Sequence, residues 1–247
     1  MREFCQLLKG EFLKQRKSFT WAIAILTPVL AAGLTFINLF IRYDYLMSLE
    51  ANKGASPWNM LLLQHHFIWF LLFSLVVTIF ASMVNYIEYK SNSWKNTLAL
   101  PVSRNKVYLS KWFLVYILSI IMIFFNGILL VIVGKILGFR EAVDLTLILK
   151  YELYQMAAVT SLISLQCFIS AEISNTNISL TIGAVGVASS MFFAQSKIMS
   201  KLIPYAHIIY SLPDSTIDNT ITLQYGLSFG IVFLIIGTFF FNKKEIC

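Results

Sequence analysis

Six long uncharged stretches, separated by short charged segments, dominate the sequence. They cover residues 18–41, 54–87, 112–134, 153–171, 173–196 and 219–242. A helix needs about 20 apolar residues to cross the ~30 Å hydrocarbon core of a bilayer, so each stretch holds one span. We predict spans near 19–41, 61–84, 112–133, 153–170, 178–194 and 225–241. Since the run 67–77 does not alternate in polarity, barrel strands are excluded. The pattern predicts an all-α polytopic membrane protein with six transmembrane helices.

The composition supports a membrane protein rather than a soluble one. Hydrophobic residues make up 58% of the chain and charged residues 13%, with a mean hydropathy of +0.74. Soluble domains carry about 25% charged residues. The first uncharged stretch exceeds the roughly 7–15 apolar residues of a signal peptide and lacks a convincing small-residue cleavage site. We therefore expect it to remain as the first span of a single transmembrane domain over residues 1–247.

Lysine and arginine fall unequally on the two sides that six spans create. Twelve lie in the N-terminal segment, the second connection and the C-terminus, and seven lie on the other side. Because these residues favour the cytoplasmic side, both termini are expected to be cytoplasmic. Glu88 and Glu172, at cytoplasmic span ends, are expected to pair with basic residues there. The net charge of +7 does not indicate a nucleic-acid partner, since no soluble domain is available to bind one; it suits anionic lipid headgroups.

Residues 1–17 have the pattern of an amphipathic helix. The residues that share its apolar face are Phe4, Leu7, Leu8 and Phe12. Such a helix lies in the headgroup plane of the bilayer rather than crossing it. The alternative is a plain cytoplasmic extension of the first span.

Small residues follow one face of each of the last two spans. Gly183 and Gly186 belong to the fifth span, and Gly226 and Gly230 to the sixth. Small side chains let helix backbones approach closely in lipid. These faces are predicted to be helix-packing surfaces, either within one protomer or between two.

The cytoplasmic connection at 86–110 has helical character rather than that of a flexible loop. Its first part, from Glu88 to Leu98, carries apolar residues that include Trp94. Pro101 disfavours continuation of a helix, and Ser103 is placed to cap the helix of the third span. We predict a short helix that lies across the cytoplasmic face.

The outer connection at 196–224 is too apolar for a solvated loop. Pro204 and Pro213 divide it into pieces. We predict short helices that re-enter the outer leaflet.

The sequence lacks the motifs of a self-sufficient enzyme or pump. It contains no His-Glu-x-x-His, no Gly-x-Ser-x-Gly and no Gly-x-x-x-x-Gly-Lys-Ser/Thr motif. The histidines His65, His66 and His207 lack metal spacing and are interpreted as interfacial anchors. No paired carboxylates lie within the predicted spans, which weakens the case for a secondary transporter. Any transport would therefore draw its energy from another polypeptide.

The layout and one local motif resemble the permeases of type-2 ABC exporters. The motif is the run at 88–104, Glu-Tyr-Lys-Ser-Asn-Ser-Trp-Lys-Asn-Thr-Leu-Ala-Leu-Pro-Val-Ser-Arg, followed by a lysine at 111 that opens the third span. The size of the chain and its opening, Leu-Leu-Lys-Gly-Glu-Phe-Leu-Lys-Gln-Arg-Lys at 7–17, are similar to permease subunits of lantibiotic-immunity transporters.

The resemblance implies a division of labour between subunits. A cytoplasmic ABC ATPase dimer, holding ATP and Mg²⁺, would receive the connection through Glu88, Trp94, Leu98, Pro101 and Arg104. The chain itself would bind no cofactor and would not be an enzyme. A second permease subunit, identical or related, would complete a transporter that expels an amphipathic cationic peptide across the bacterial plasma membrane. The alternatives are export of another peptide or drug, an intramembrane enzyme, and a membrane scaffold.

Overall fold

Helices account for nearly all of the computed structural model, which describes residues 2–16, 18–49, 56–90 and 102–244. In chain order these are α1 (Arg2–Gln15), α2 (Thr20–Ser48), α3 (Pro57–Lys90), α4 (Arg104–Ile136), α5 (Leu145–Glu172), α6 (Thr176–Ala194), α7 (Met199–Leu202), a 3₁₀ helix (Pro204–Ser211), a π-helical turn (Ile221–Gly226) and α8 (Leu227–Lys243). Within the described ranges there is no strand. Six helices are long and apolar enough to span a membrane: α2, α3, α4, α5, α6, and α8 with its π-helical turn. The prediction of six spans is confirmed.

Several helices extend beyond the predicted spans. α2 runs on to Ser48, and α5 begins at Leu145 rather than near 153. Charged residues such as Arg42 and Lys150 end an apolar run without ending a helix, because their intrinsic helix propensity is ordinary. As a result Glu152, expected in the connection before the fourth span, lies inside α5.

α3 and α5 form the centre of the bundle. Of their most apolar segments, 61% and 67% of residues are buried, against 22% for α6 and 17% for α8. α5 packs most extensively on α8 and also contacts α3, α4 and the 3₁₀ helix. α6 and α8 therefore expose most of their apolar surface, as helices that face lipid do.

α1 is a separate helix, not a continuation of α2. Gln15 accepts hydrogen bonds from Ser18 and Thr20, which hold the turn between the two helices. Phe4 contacts Phe113 of α4 with ring centroids 5.5 Å apart, so part of the predicted apolar face rests on the protein. Placement of α1 in the headgroup plane stays a prediction.

The connection at 196–224 contains the short helices expected from its apolar residues. Pro204 opens the 3₁₀ helix, at a position where the missing N–H has no partner to lose. Tyr205 and Ile208 are buried, and this helix contacts α5, α6 and the π-helical turn. Its depth in the outer leaflet stays a prediction.

The four glycines of the small-residue faces contact other parts of the same chain. A Cβ on Gly226 would lie 3.0 Å from the carbonyl oxygen of Ala157, which belongs to a helix backbone and cannot move aside. The other three face side chains: Gly183 faces Thr78 and Gln166, Gly186 faces Tyr205, and Gly230 faces Thr160. Both faces therefore serve packing within the protomer.

The interpretation of the histidines as interfacial anchors is wrong. All three are buried. Their ring nitrogens tolerate burial because each histidine has polar partners on other helices or helical turns. His65 bonds Thr35 and Asn126, and His66 bonds Tyr151 and the carbonyl of Ile209. His207 bonds Ser161 and the carbonyl of Lys201. They tie segments of the bundle together.

Candidate functional site

Four charged side chains meet where the end of α3 and the start of α4 converge on α1. Glu11 and Lys14 stand three residues apart on α1, Glu88 lies in the last turn of α3, and Lys111 lies two turns into α4. We call these four residues the charge cluster. Glu11, Glu88 and Lys111 are 4%, 0% and 2% exposed, so the cluster is largely withdrawn from water.

Lys111 is the centre of the charge cluster. Its Nζ donates to Glu11 Oε2 at 3.0 Å, to Glu88 Oε1 at 3.0 Å and to the carbonyl oxygen of Val84 at 3.3 Å. An ammonium group has three N–H donors, and all three are used here. The side chain therefore joins all three helices through one atom.

Lys14 contacts both carboxylates of the cluster from its more exposed side. Its Nζ donates to Glu11 Oε1 at 2.7 Å and to Glu88 Oε1. Burial lowers the pKa of Lys14, but the carboxylates of Glu11 and Glu88 raise it by more, so its pKa lies above the ordinary value. Among the described residues, two carboxylates and two ammonium groups thus share one site.

A second ion pair between α1 and α4 lies outside the cluster. Lys106 pairs with Glu3 at 2.5 Å, with side chains 41% and 39% exposed. Exposed pairs contribute little, at most about 1 kcal/mol. Among the described residues, the buried cluster is therefore the main ionic connection of α1.

The carboxyl ends of helices on the same side of the bundle are satisfied by side chains of neighbouring helices. Arg104 donates to the carbonyls of Asn242 and Lys244 at the end of α8, at 3.1 and 2.7 Å. Lys244 donates to the carbonyl of Ala171 and, at 3.0 Å, to that of Glu172, at the end of α5. Cationic groups at helix carboxyl ends complement the helix dipole.

Tyr89 adds a link from α3 to the same helix end. Its hydroxyl donates to the carbonyl of Ala171 at 2.6 Å. Burial lowers the pKa of Lys244, and the Glu172 carboxylate 3.9 Å away offsets part of that change. The expectation that Glu88 and Glu172 pair with basic residues is confirmed. The ends of α3, α5 and α8 and the start of α4 thus form one connected layer.

Comparison with known protein families identifies the family to which the chain belongs. The profile described as "ABC-2 family transporter protein" matches residues 7–190, from α1 to α6. The chain belongs to the ABC-2 transporter family. No curated protein sequence matches the chain. This ABC-2 protein is therefore a multi-pass membrane subunit of a transporter whose ATPase is a separate subunit.

The sequence-predicted coupling residues of the ABC-2 chain fall in three places. Trp94, Leu98 and Pro101 lie outside the described residues. Arg104 begins α4 and contacts the end of α8. Glu88 belongs to the charge cluster, so Glu88 and Arg104 contact different partners.

Most of the short helix predicted from Glu88 to Leu98 lies outside the described residues, but Glu88 itself belongs to the last turn of α3. α3 continues without interruption to Lys90, because no glycine or proline occurs between 77 and 90. Ser103 does stand at the N-cap position of α4, but its side chain makes no capping hydrogen bond. A coupling role for Glu88 would act through the helices that it joins.

Sequence reasoning missed the partners of Glu88. Glu11 and Lys14 looked like charges on an interfacial helix, and Lys111 looked like an anchor at the start of a span. One signal was available: Lys111 stands between Ser110 and Trp112 at the edge of a long apolar run. A lysine held there needs an acceptor nearby.

Proposed function

We propose that the chain is the permease subunit of an ABC exporter that expels an amphipathic cationic peptide from the bacterial plasma membrane. The cargo we favour is a lantibiotic, which would make the transporter a self-immunity system. The family match supports the exporter, and the resemblance of residues 7–17 to lantibiotic-immunity permeases supports the cargo. A separate ATPase dimer, loaded with ATP and Mg²⁺, would supply the energy, and a second permease subunit would complete the pathway.

The charge cluster is the structural observation that supports the mechanical part of this proposal. Residues 91–101 connect the end of α3 to the start of α4, and Lys111 joins those two helices to each other and to α1. A displacement of the connection by an ATPase would therefore move the three helices as one unit. Rigid-body movement of connected helices is a common way to transmit a conformational change.

The experiment is reconstitution of the transporter with its ATPase. The tagged full chain is co-expressed with the genes adjacent to its own, and co-purifying ATPase is measured. Protection of the host is then measured as the inhibitory concentration of a lantibiotic. We expect capture of an ATPase and raised tolerance that requires ATP hydrolysis.

The coupling connection is tested with Trp94→Ala. Loss of this aromatic side chain should abolish protection while membrane insertion persists, because the connection loses its main apolar contact for the ATPase. Phe19→Ala is the matched control, since Phe19 is 79% exposed at the start of α2 on the same side. Normal ATPase capture and normal tolerance in the Trp94 variant would contradict the coupling role.

Glu88→Arg is a poorer test of coupling. It would place a third cation beside Lys14 and Lys111 in a buried site, so loss of folding would accompany any loss of transport. Trp94 lies outside the cluster and separates the two effects.

Lack of any co-purifying ATPase would contradict the exporter itself. Capture of an ATPase without lantibiotic tolerance would instead reject the cargo and retain the exporter.

A further inference from the structure

Glu152 is a buried carboxylate inside a membrane-spanning helix. Its residue is 6% exposed, and among the described residues it has no hydrogen bond or ion pair. Glu11 and Glu88, the other buried acids of the described chain, both bind lysines. Ionisable residues within spans are costly and are commonly kept for function.

The carboxylate occupies a notch in α4. A Cβ built on Gly127 would lie only 1.8 Å from Glu152 Oε1 and 3.6 Å from a methyl group of Ile148. The missing side chain of Gly127 therefore makes the space that the carboxylate fills. The acid sits in the groove between α4 and α5.

The edges of that groove expose apolar side chains, which a membrane would place against lipid. On α4, Phe124 and Ile128 are 47% and 58% exposed, and on α5, Leu149 and Leu153 are 53% and 60% exposed. Glu152 stands seven residues from the start of α5, about 10.5 Å along the helix. It lies under a lipid-facing surface, on the side that we expect to be outer.

A second unpaired acceptor lies on α4, on the residue that precedes Gly127. Asn126 Nδ2 and His65 Nε2 are 2.9 Å apart, and His65 Nδ1 lies 2.9 Å from Thr35. Asn126 Oδ1 is buried without a hydrogen-bond partner in the described chain. The Glu152 carboxylate, an anionic acceptor without a donor, suits a ligand that brings N–H groups and a positive charge.

We propose that Glu152 recognises the cationic group of an amphipathic ligand that enters the α4–α5 groove laterally from the lipid. The ligand's apolar part would lie against the exposed side chains of Phe124, Ile128 and Leu153. Its ammonium group would reach the carboxylate from the headgroup region, as lysine side chains do in membranes. This proposal rests on the proposed export of an amphipathic cation and names the point at which that cation is bound.

The test uses the full chain in nanodiscs of uncharged, zwitterionic lipid. The probe is a dansyl-labelled alkylammonium, and its uncharged counterpart carries a hydroxyl group in place of the ammonium. Energy transfer from the protein's tryptophans reports binding. We expect a saturable component for the cation only, and an apparent affinity about tenfold lower in Glu152→Gln, which keeps the shape of the side chain and removes its charge.

Three further variants separate charge from structure. Glu141→Gln removes an exposed acid from the connection that precedes α5 and should leave the affinity unchanged. Glu152→Asp keeps the charge with a shorter reach and should lose less affinity than Glu152→Gln. Gly127→Ala fills the notch and should weaken binding of the cation while the chain remains folded.

Equal affinity of the wild type and Glu152→Gln for the cation would overturn the proposal. So would saturable binding of the hydroxyl probe with the same affinity, which would indicate a protonated carboxyl group without cation selectivity. If Glu152→Gln does not fold, Gly127→Ala is compared with the wild type instead. Equal affinity of these two proteins for the cation would then overturn the proposal. ATPase capture is measured separately, so failure of this site leaves the exporter proposal standing.

Discussion

Replacement of Lys111 by methionine should detach α1 and destabilise the chain by about 3–5 kcal/mol. Lys111 donates to two carboxylates, each at 3.0 Å and each buried. Hydrogen bonds to charged groups contribute about 1.5–3 kcal/mol each, and removal of one partner from a buried ionic site costs a similar total of about 3–5 kcal/mol. The variant loses one of the cations that balance Glu11 and Glu88. The free energy of unfolding is measured in bicelles by titration with dodecyl sulfate.

The neighbouring Lys106→Met is the matched control, because its pair with Glu3 is about two-fifths exposed. It should cost less than about 1 kcal/mol. The double variant Glu88→Gln/Lys111→Met keeps the Glu11–Lys14 pair at 2.7 Å and removes one charge of each sign. It should therefore cost less than the sum of its single variants, by roughly 0.5–3 kcal/mol. Two results would refute this account of the cluster. One is a loss of unfolding free energy below about 1 kcal/mol in Lys111→Met, and the other is a double variant whose loss equals the sum of the losses in its two single variants.

Three other variants test packing, polar links and helix ends. Gly226→Ala should cost about 1–3 kcal/mol by thermal unfolding, because its Cβ meets a backbone carbonyl at 3.0 Å; Gly33→Ala, with open space around it, should be neutral or stabilising, and equal effects would contradict the close-approach argument. His66→Leu should cost about 1–3 kcal/mol and speed amide exchange in Pro204–Ser211, since it leaves the carbonyl of Ile209 unpaired; unchanged exchange would show that His66 does not hold the 3₁₀ helix. Arg104→Gln should speed exchange at the last turn of α8 while changing global stability by less than about 1 kcal/mol, and a larger global loss would contradict a purely local link.

The number and order of the spans could be predicted from the sequence because hydrocarbon imposes a strict rule. Each span needs about 20 uncharged apolar residues, and six such runs are plain to see. The ends of the helices could not be predicted in the same way. Arg42 and Lys150 interrupt the apolar pattern, yet α2 and α5 pass through them, since helix formation depends on backbone hydrogen bonds and not on contact with lipid.

The candidate sites depended on contacts between residues far apart in sequence. Glu88 and Lys111 are 23 residues apart, and Glu11 and Lys111 are 100 apart. No local pattern reports such a meeting, although a general pairing of Glu88 with basic residues was predictable from charge alone. Glu152 was missed because the predicted spans were drawn only within uncharged stretches. Its charge therefore placed it just outside the fourth predicted span.

The ionic character of the cluster bears on the role that we propose for it in coupling the ATPase to movement of the helices. A buried ion pair is often no more stable than apolar side chains of similar volume, so stability alone does not explain four charges at this position. Charges differ from apolar groups in that their hydrogen bonds fix direction and register. Lys111, with each of its three N–H groups directed at a different acceptor, holds α1, α3 and α4 in one relative orientation. An apolar contact would allow these helices to slide past one another. A displacement of residues 91–101 would then be lost at that contact, whereas under the proposed coupling role the cluster would transmit it to α1 and to both spans together.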